Sequence, residues 1–268
     1  MLQPPEICTT RYLEGNLFRH LWLVVCHMTA DALQPEPLVP TFSGAIVDAR
    51  NYMAWIVATL RPYLGRNVLE VGIGHGSYYE YLGKLGRYRG VDIDPANVES
   101  SRARYPGGDF ALADICSDAF SSHFAPGSVD TVVCCNVIEH IADDNRAVGN
   151  LANGLAPGGH LLLLVPALQQ LYGELDRLAG HHRRYDRPLM LKALAGAPLD
   201  LLELRYFNPI GGVAWWLNRF AKHRSLNDDA VNAQIRIFDK YVLPISKMVD
   251  PLTRGFFGQS LICVARRQ

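Results

Sequence analysis

The stretch Val68-Leu69-Glu70-Val71-Gly72-Ile73-Gly74-His75-Gly76 decides the fold: an apolar run of strand length enters a glycine-rich turn. Glycine has no Cβ, so the backbone turns sharply there and a ligand can approach closely. The following Ser77-Tyr78-Tyr79-Glu80-Tyr81-Leu82 can open a helix whose free N–H groups face that ligand. A second acid-bearing strand comes next. Arg89 to Asp94 carries Asp92, 16 residues after Gly76 (92 − 76), near the offset of about 20 at which an acid meets ribose hydroxyls in dinucleotide folds. The turn reads G-x-G-x-G rather than G-x-G-x-x-G, which suits a nucleoside ligand lacking a diphosphate.

Three further segments follow in order. Asp109 to Ile115 is a short strand ending in Asp114. Ser128 to Cys135 is a buried-type strand whose exit, Asn136-Val137-Ile138-Glu139-His140, lies at the C-terminal edge where open α/β sheets place ligands. Leu155-Ala156-Pro157-Gly158-Gly159 is a turn before the fully apolar strand His160 to Pro166. Taken together, Glu70 to Gly76, Asp92, Ala113 to Ile115, Asp130 to His140 and Leu155 to Gly159 resemble the class I S-adenosylmethionine-dependent methyltransferases of the small-molecule type, over about residues 67 to 166.

The resemblance implies an α/β, Rossmann-like sheet of seven strands. The sheet is mostly parallel, with helices on both faces and an antiparallel last strand, Gln259 to Ala265, between the fifth and the sixth, Leu199 to Tyr206. It implies S-adenosyl-L-methionine as cofactor, with Gly72, Gly74 and Gly76 in the cradle and Glu70 near the cofactor's ammonium. Glu70 read alone is equally a strand-end acceptor of backbone hydrogen bonds. Asp92, with Ile93 beside it, is expected at the ribose, where a carboxylate's two oxygens match two hydroxyl donors; Asp94 competes for that role. Asp114 and Ile115 are expected at the adenine amine and ring, and Asn136 and Val137 at the cofactor edge of the fourth strand. The segment before the first strand meets the methionine end in this family, which nominates Tyr52 with Asn51 and Met53. A Tyr and a Met on the helix expected over Asp48 to Leu64 are equally core residues.

Beyond the common core, Gly180-His181-His182-Arg183-Arg184-Tyr185 resembles a G-H-x-R-R-Y segment of one subgroup. Its imidazoles, phenol and guanidinium groups can hold an acceptor and remove its proton, which makes His181, His182 and Tyr185 the catalytic candidates, His181 first. A helix cap with arginines paired to Asp176 and Asp186 explains the same residues. Trp215 and Trp216 can line an apolar acceptor pocket or pack in the core.

Composition narrows the partners. The chain has 268 residues, 49% of them hydrophobic, with 26 basic and 26 acidic side chains, enough for one sizeable α/β domain and a cap. Neutral total charge argues against a surface devoted to nucleic-acid phosphate, and no N-P-P-Y or D-P-P-Y follows the fourth strand, so base methylation ranks low. Six cysteines without C-x-x-C spacing suggest buried thiols, and no carboxylate cluster at metal-ligand spacing is evident, so no metal is expected. The run Leu21 to Cys26 is too short to span a membrane, no signal peptide is evident, and the cytoplasm is the default compartment.

The expected organisation is an N-terminal helical lid or oligomer arm over residues 1–40, helical from Tyr12 to Ala32 and closed by Pro35, Pro37 and Pro40. A methyltransferase domain over 41–268 follows, with acceptor-binding insertions at about 167–198 and 207–256. The expected reaction is methyl transfer to an O, N or C nucleophile of a small, partly hydrophobic or aromatic molecule in specialised metabolism. A Rossmann-type NAD-dependent oxidoreductase and a catalytically silent cofactor-binding partner are the alternatives.

Overall fold

The structure, a computed structural model, describes residues 48–125, 127–218 and 229–268. The expected N-terminal arm and its proline linker lie outside the described residues.

Seven strands form one sheet: β1 (Asn67–Val71), β2 (Arg87–Asp92), β3 (Phe110–Leu112), β4 (Val129–Cys135), β5 (Leu155–Pro166), β6 (Leu199–Phe207) and β7 (Ser260–Arg267). Their order is β3-β2-β1-β4-β5-β7-β6. Neighbours from β3 to β5 pair in parallel, and β7 runs antiparallel to both β5 and β6. Strand order reverses on either side of β1, so the crevice beyond the C-terminal ends of β1 and β4 is where such sheets bind ligands.

Alternation along the strands sorts the core into two layers. Leu69, Val71, Val132, Leu161 and Leu163 face one side. Val68, Val133, Leu162 and Leu164 face the other, under Ile56 and Leu60 of α1 (Arg50–Leu60). Leu161 to Val165 are completely buried, which is why that run reads as continuously apolar. Glu70 shares its parity with Val68, so the chain drives a carboxylate into the layer beneath α1.

Several boundaries differ from expectation. α1 stops at Leu60 and tightens into a 3₁₀ turn over Arg61–Tyr63 at Pro62. The helix after the glycine turn, α2 (Tyr79–Leu82), is a single turn, ended by Gly83. α3 (Pro95–Arg104) is capped by Asp94, whose Oδ1 accepts the Ala96 N–H at 2.8 Å. Leu155 to Gly159 extends β5 instead of forming a separate turn, with a register shift opposite Val129 and Thr131.

After β4, α4 (Asp144–Gly154) returns the chain to β5. Then come α5 (Glu174–Leu178), α6 (Arg187–Leu194) and, after β6, α7 (Pro209–Asn218), α8 (Asp229–Ile237) and α9 (Leu243–Thr253). Asn208 anchors the insertion after β6. Held at φ 61°, it donates its backbone N–H to Asp250 and its amide to Gln259, and its Oδ1 accepts from Ser246 and Gly211. The π-helical turn Phe238–Val242 supplies Asp239, whose carboxylate accepts the Asn51 and Tyr52 N–H groups at the start of α1. No helix among the described residues is long and apolar enough to cross a membrane.

Candidate active site

Two structures meet at the sheet's C-terminal edge: a glycine cradle between β1 and β2, and a polar cluster built by the segments after β4 and β5. In the cradle Gly72, Gly74 and Gly76 have φ of 75°, 50° and 68°, the left-handed region that side chains with a Cβ rarely adopt. A Cβ on Gly72 would lie 2.2 Å from Val137 Cγ2, so the turn and the exit of β4 are in close contact. Asp92 is nearly buried; its Oδ2 accepts the Gly74 N–H and its Oδ1 the Asp94 N–H, both at 2.9 Å. Burial raises its carboxyl, and these two hydrogen bonds oppose the rise. The Asn97 side chain also bonds this carboxylate, which thereby shapes the turn and keeps acceptor capacity for a hydroxyl donor.

Glu70 accepts the Tyr88 hydroxyl on Oε2 at 2.7 Å, and its Oε1 is buried with no hydrogen-bond partner. Burial pushes its carboxyl up to about 8; Tyr88 lowers it and Asp92 raises it. A buried acceptor without a donor costs about 1 to 3 kcal/mol, and a ligand ammonium would relieve it. Tyr78 lies within electrostatic reach of Cys135, Tyr52 and Glu70. Tyr52 bonds Ser260 and Asn208 and rests its ring against Phe207, so it bridges α1 to the insertion as well as standing near the cradle. Tyr88 is not singled out by the sequence, although it lies across the β1–β2 pairing, two residues before Gly90, the partner of Glu70.

Ile93 is 61% exposed and Leu112 is 52% exposed at the ends of β2 and β3. Ile115, expected against the adenine ring, is instead buried in the main core, so the apolar flank available to a ring comes from Ile93 and Leu112. Asp114 is exposed and accepts the Cys116 N–H at 2.8 Å. Asn136 is exposed at φ 54°, its N–H donated to the Leu164 carbonyl, and half-buried Val137 packs on Gly72.

In the polar cluster Asp176 is the buried hub. Its Oδ1 accepts from His181 Nδ1 and from Arg184 Nε, each at 2.8 Å. Its Oδ2 accepts the Gly173 N–H at 2.9 Å and Trp215 Nε1 at 3.1 Å. Burial alone would raise this carboxyl, but the His181 and Arg184 contacts outweigh it and hold it below the usual range. Arg184, fully buried, also donates to the Ala167 carbonyl and lies 4.8 Å over the Trp215 ring. Trp215 is therefore a strut of this cluster rather than a pocket wall, while Trp216 is exposed.

His181 is thus held by Nδ1 and presents Nε2, 4.0 Å from Glu139 Oε1. Glu139 is completely buried and neither of its oxygens has a partner; burial pushes its carboxyl up to about 8. His140 stacks edge-on against His181 with ring centres 4.7 Å apart, and bonds the Gly180 and Ala179 carbonyls; burial, then His181, pushes it down to about 4. The two segments are stitched by the His182 N–H to the Glu139 carbonyl at 2.8 Å.

Tyr185 and His182 do not share this geometry. Tyr185 is completely buried, donating its hydroxyl to Asp144 at 2.8 Å and bridging by its backbone to the end of β5. It is a core residue, because strand-like pairing at Ala167 turns its side chain inward. His182 is exposed and enters only through its backbone. A separate cleft of about 290 Å³, lined by Pro62, Tyr63, Asp130 and His160, opens at the opposite, N-terminal edge of β1 and β4, away from the cradle.

The chain is similar to known methyltransferases. A family model described as a methyltransferase domain matches residues 69–163. Ubiquinone biosynthesis O-methyltransferase of Cupriavidus pinatubonensis (strain JMP 134 / LMG 1197) is 27% identical over 167 residues, 56% of this chain and 67% of that protein. An uncharacterized methyltransferase of Mycobacterium sp. (strain JLS) is 34% identical over 126 residues, 46% of this chain and 48% of that protein, so the match spans about half of that relative's length. The crystal structure of an S-adenosylmethionine-dependent methyltransferase from Mesorhizobium loti superposes with a TM-score of 0.55 at 19% identity, covering 82% of this chain and all of that one, which is a likeness of fold. The matched span contains the cradle, Asp92 and the exit of β4, so residues 69–163 carry the methyltransferase-domain match, and the sheet order supports a class I S-adenosylmethionine-dependent methyltransferase.

Proposed function

We propose that the chain transfers a methyl group from S-adenosylmethionine to a nucleophile, first of all a hydroxyl, on a small, partly hydrophobic or aromatic molecule in a biosynthetic pathway. The observation that carries the reading is His181, oriented through Nδ1 by Asp176 and offering Nε2 beside the exit of β4, whose Val137 touches the glycine turn. In this reading Glu70 Oε1 receives the cofactor's ammonium, Asp92 takes the ribose hydroxyls, and Ile93 and Leu112 flank the adenine, with Asp114 toward its amine. The bound cofactor supplies an already activated sulfonium methyl, so alignment accounts for much of the barrier. His181 Nε2 takes the acceptor's proton, and Asp176 fixes the tautomer and steadies the imidazolium. Cys135, Tyr78 and Tyr52, packed on the apolar layer beneath α1 with Tyr78 in electrostatic reach of Glu70, would help to exclude water from the methionine end of the cradle.

The test is transfer of labelled methyl from S-adenosylmethionine into a source-cell extract, followed by separation into organic-soluble, protein and nucleic-acid fractions. Label in the organic fraction supports the small-molecule reading and yields a product for mass analysis. Label confined to protein or nucleic acid refutes it. Absence of label, with S-adenosylhomocysteine still bound, would favour a partner that needs another chain for catalysis.

A further inference from the structure

We infer that Glu139, His140 and His181 form a site for one divalent transition-metal ion, zinc foremost, beside the cofactor cradle. One ligand atom from each lies within 4.8 Å of the others. Each ligand is already oriented by its outer contacts. His181 donates Nδ1–H to the Asp176 carboxylate, leaving Nε2 as the donor atom, the carboxylate–histidine arrangement that fixes tautomer and ring angle at metal sites. His140 bonds the backbone of Gly180 and Ala179, which orients its ring, and one of its ring nitrogens lies within 4.8 Å of the other two ligand atoms. Glu139 brings two oxygens, both buried and both without a partner.

That last fact is the reason to look for a cation. A buried carboxylate with no donor is costly, and positive charge is what relieves it. The nearest fixed cation, Arg184, is committed to Asp176, Ala167 and the Trp215 face. A hydrogen bond between Glu139 and His181 does not solve the problem, since 4.0 Å is too long for one. Two ligands about 2.1 Å from a tetrahedral zinc ion stand about 3.4 Å apart, so the Glu139–His181 pair at 4.0 Å and the outermost pair, within 4.8 Å, have to close by about 0.6 Å and at most about 1.4 Å. Two imidazoles and one carboxylate suit zinc or ferrous iron and leave a position open, whereas magnesium and calcium favour all-oxygen sets.

The site deepens the proposed reaction, and only its catalytic part rests on that reading. An acceptor hydroxyl at the open position loses its proton to solvent; the S–CH₃ bond then breaks as the O–CH₃ bond forms, leaving the thioether. His181 is a ligand in the loaded protein and the proton acceptor in the metal-free one, because a single lone pair serves both roles.

The experiment strips the full chain with a chelator, desalts it, and titrates it with Co²⁺ and then Zn²⁺, reading the visible absorption of cobalt and the metal content per chain. One equivalent of cobalt, displaced by zinc, is expected. Glu139→Gln and His140→Gln should each weaken binding at least tenfold, and His123→Gln, outside the cluster, should not. S-adenosylhomocysteine binding by each variant verifies that it folds, and His181→Ala serves if either fails. No cobalt bound by the wild-type chain, or undiminished affinity in the ligand variants, overturns the site. Metal content is read without turnover, so a chain that binds metal but methylates no small molecule would sink the proposed function and leave the metal site standing.

Discussion

Raising the pH from about 6.5 to about 7.5 should tighten S-adenosylhomocysteine binding by close to tenfold in the wild-type chain and leave Glu70→Gln almost flat. The reasoning starts from the buried Glu70 carboxyl, pushed up from 4.5 to about 8 chiefly by burial. Each tenfold in an ionisation constant is about 1.4 kcal/mol, so that rise corresponds to on the order of 5 kcal/mol in favour of the protonated form. Below about pH 8 the free protein therefore carries a proton on Glu70, while the ligand's ammonium favours the carboxylate. Binding must release that proton, and affinity climbs with pH until about 8, then levels.

The groups around Glu70 do not mimic the effect: Tyr88 donates a hydrogen bond, Tyr78 and Cys135 titrate far above the window, and His75 in the turn is lowered by burial and Arg104. The unliganded fold follows the opposite trend. Glu70 holds more protons folded than unfolded between about 4.5 and 8, so its contribution to stability is complete below about 4.5 and lost as the pH rises through about 8. Calorimetry in two buffers of different ionisation enthalpy counts the proton directly. An affinity independent of pH, or an equal slope in Glu70→Gln, would refute the argument.

Three other outcomes are expected. Gly72→Ala adds a Cβ 2.2 Å from Val137 Cγ2 at φ 75°, and should lower stability by about 1 to 3 kcal/mol in denaturant melts and weaken cofactor binding with it. Asp92→Ala removes the acceptor of the Gly74 and Asp94 N–H groups, and should raise the S-adenosylhomocysteine Kd at least tenfold by titration; full retention would remove Asp92 from the ribose site. Tyr185→Phe loses only a buried hydroxyl bonded to Asp144, so stability should fall by about 1 to 2 kcal/mol while the transfer rate is retained, and a large fall in rate would restore the tyrosine to the chemistry.

The cradle was legible because its determinants are local. A strand, three glycines and an acid one strand later are adjacent in sequence, and the left-handed φ values at Gly72, Gly74 and Gly76 are a property of the turn itself. The position of the last strand also followed from motif order and the family's sheet, and β7 pairs with β5 and β6 as expected. Ile115, three residues beyond Leu112 and past the end of β3, is buried in the core while Leu112 stays exposed, a difference set by how the chain turns after the strand. Tyr185 is buried and His182 exposed because neighbours in a motif point in different directions once the chain folds.

The sequence by itself therefore determined the class of fold, the cofactor and the order of the strands, since hydrophobic period and turn chemistry act between residues close in the chain. Only the tertiary structure decided which polar residues meet. Asp176, His181 and Arg184 come from one segment, Glu139 and His140 from another 30 or more residues earlier, and Trp215 from a third, 31 residues or more later, counted from their positions in the chain. What brings them together is sheet order and backbone hydrogen bonding, chiefly the His182 N–H on the Glu139 carbonyl. Asp176 finds Gly173, His181 and Arg184 close by in the chain, but no local pattern encodes its bond to Trp215 or the approach of the unpartnered Glu139 to His181.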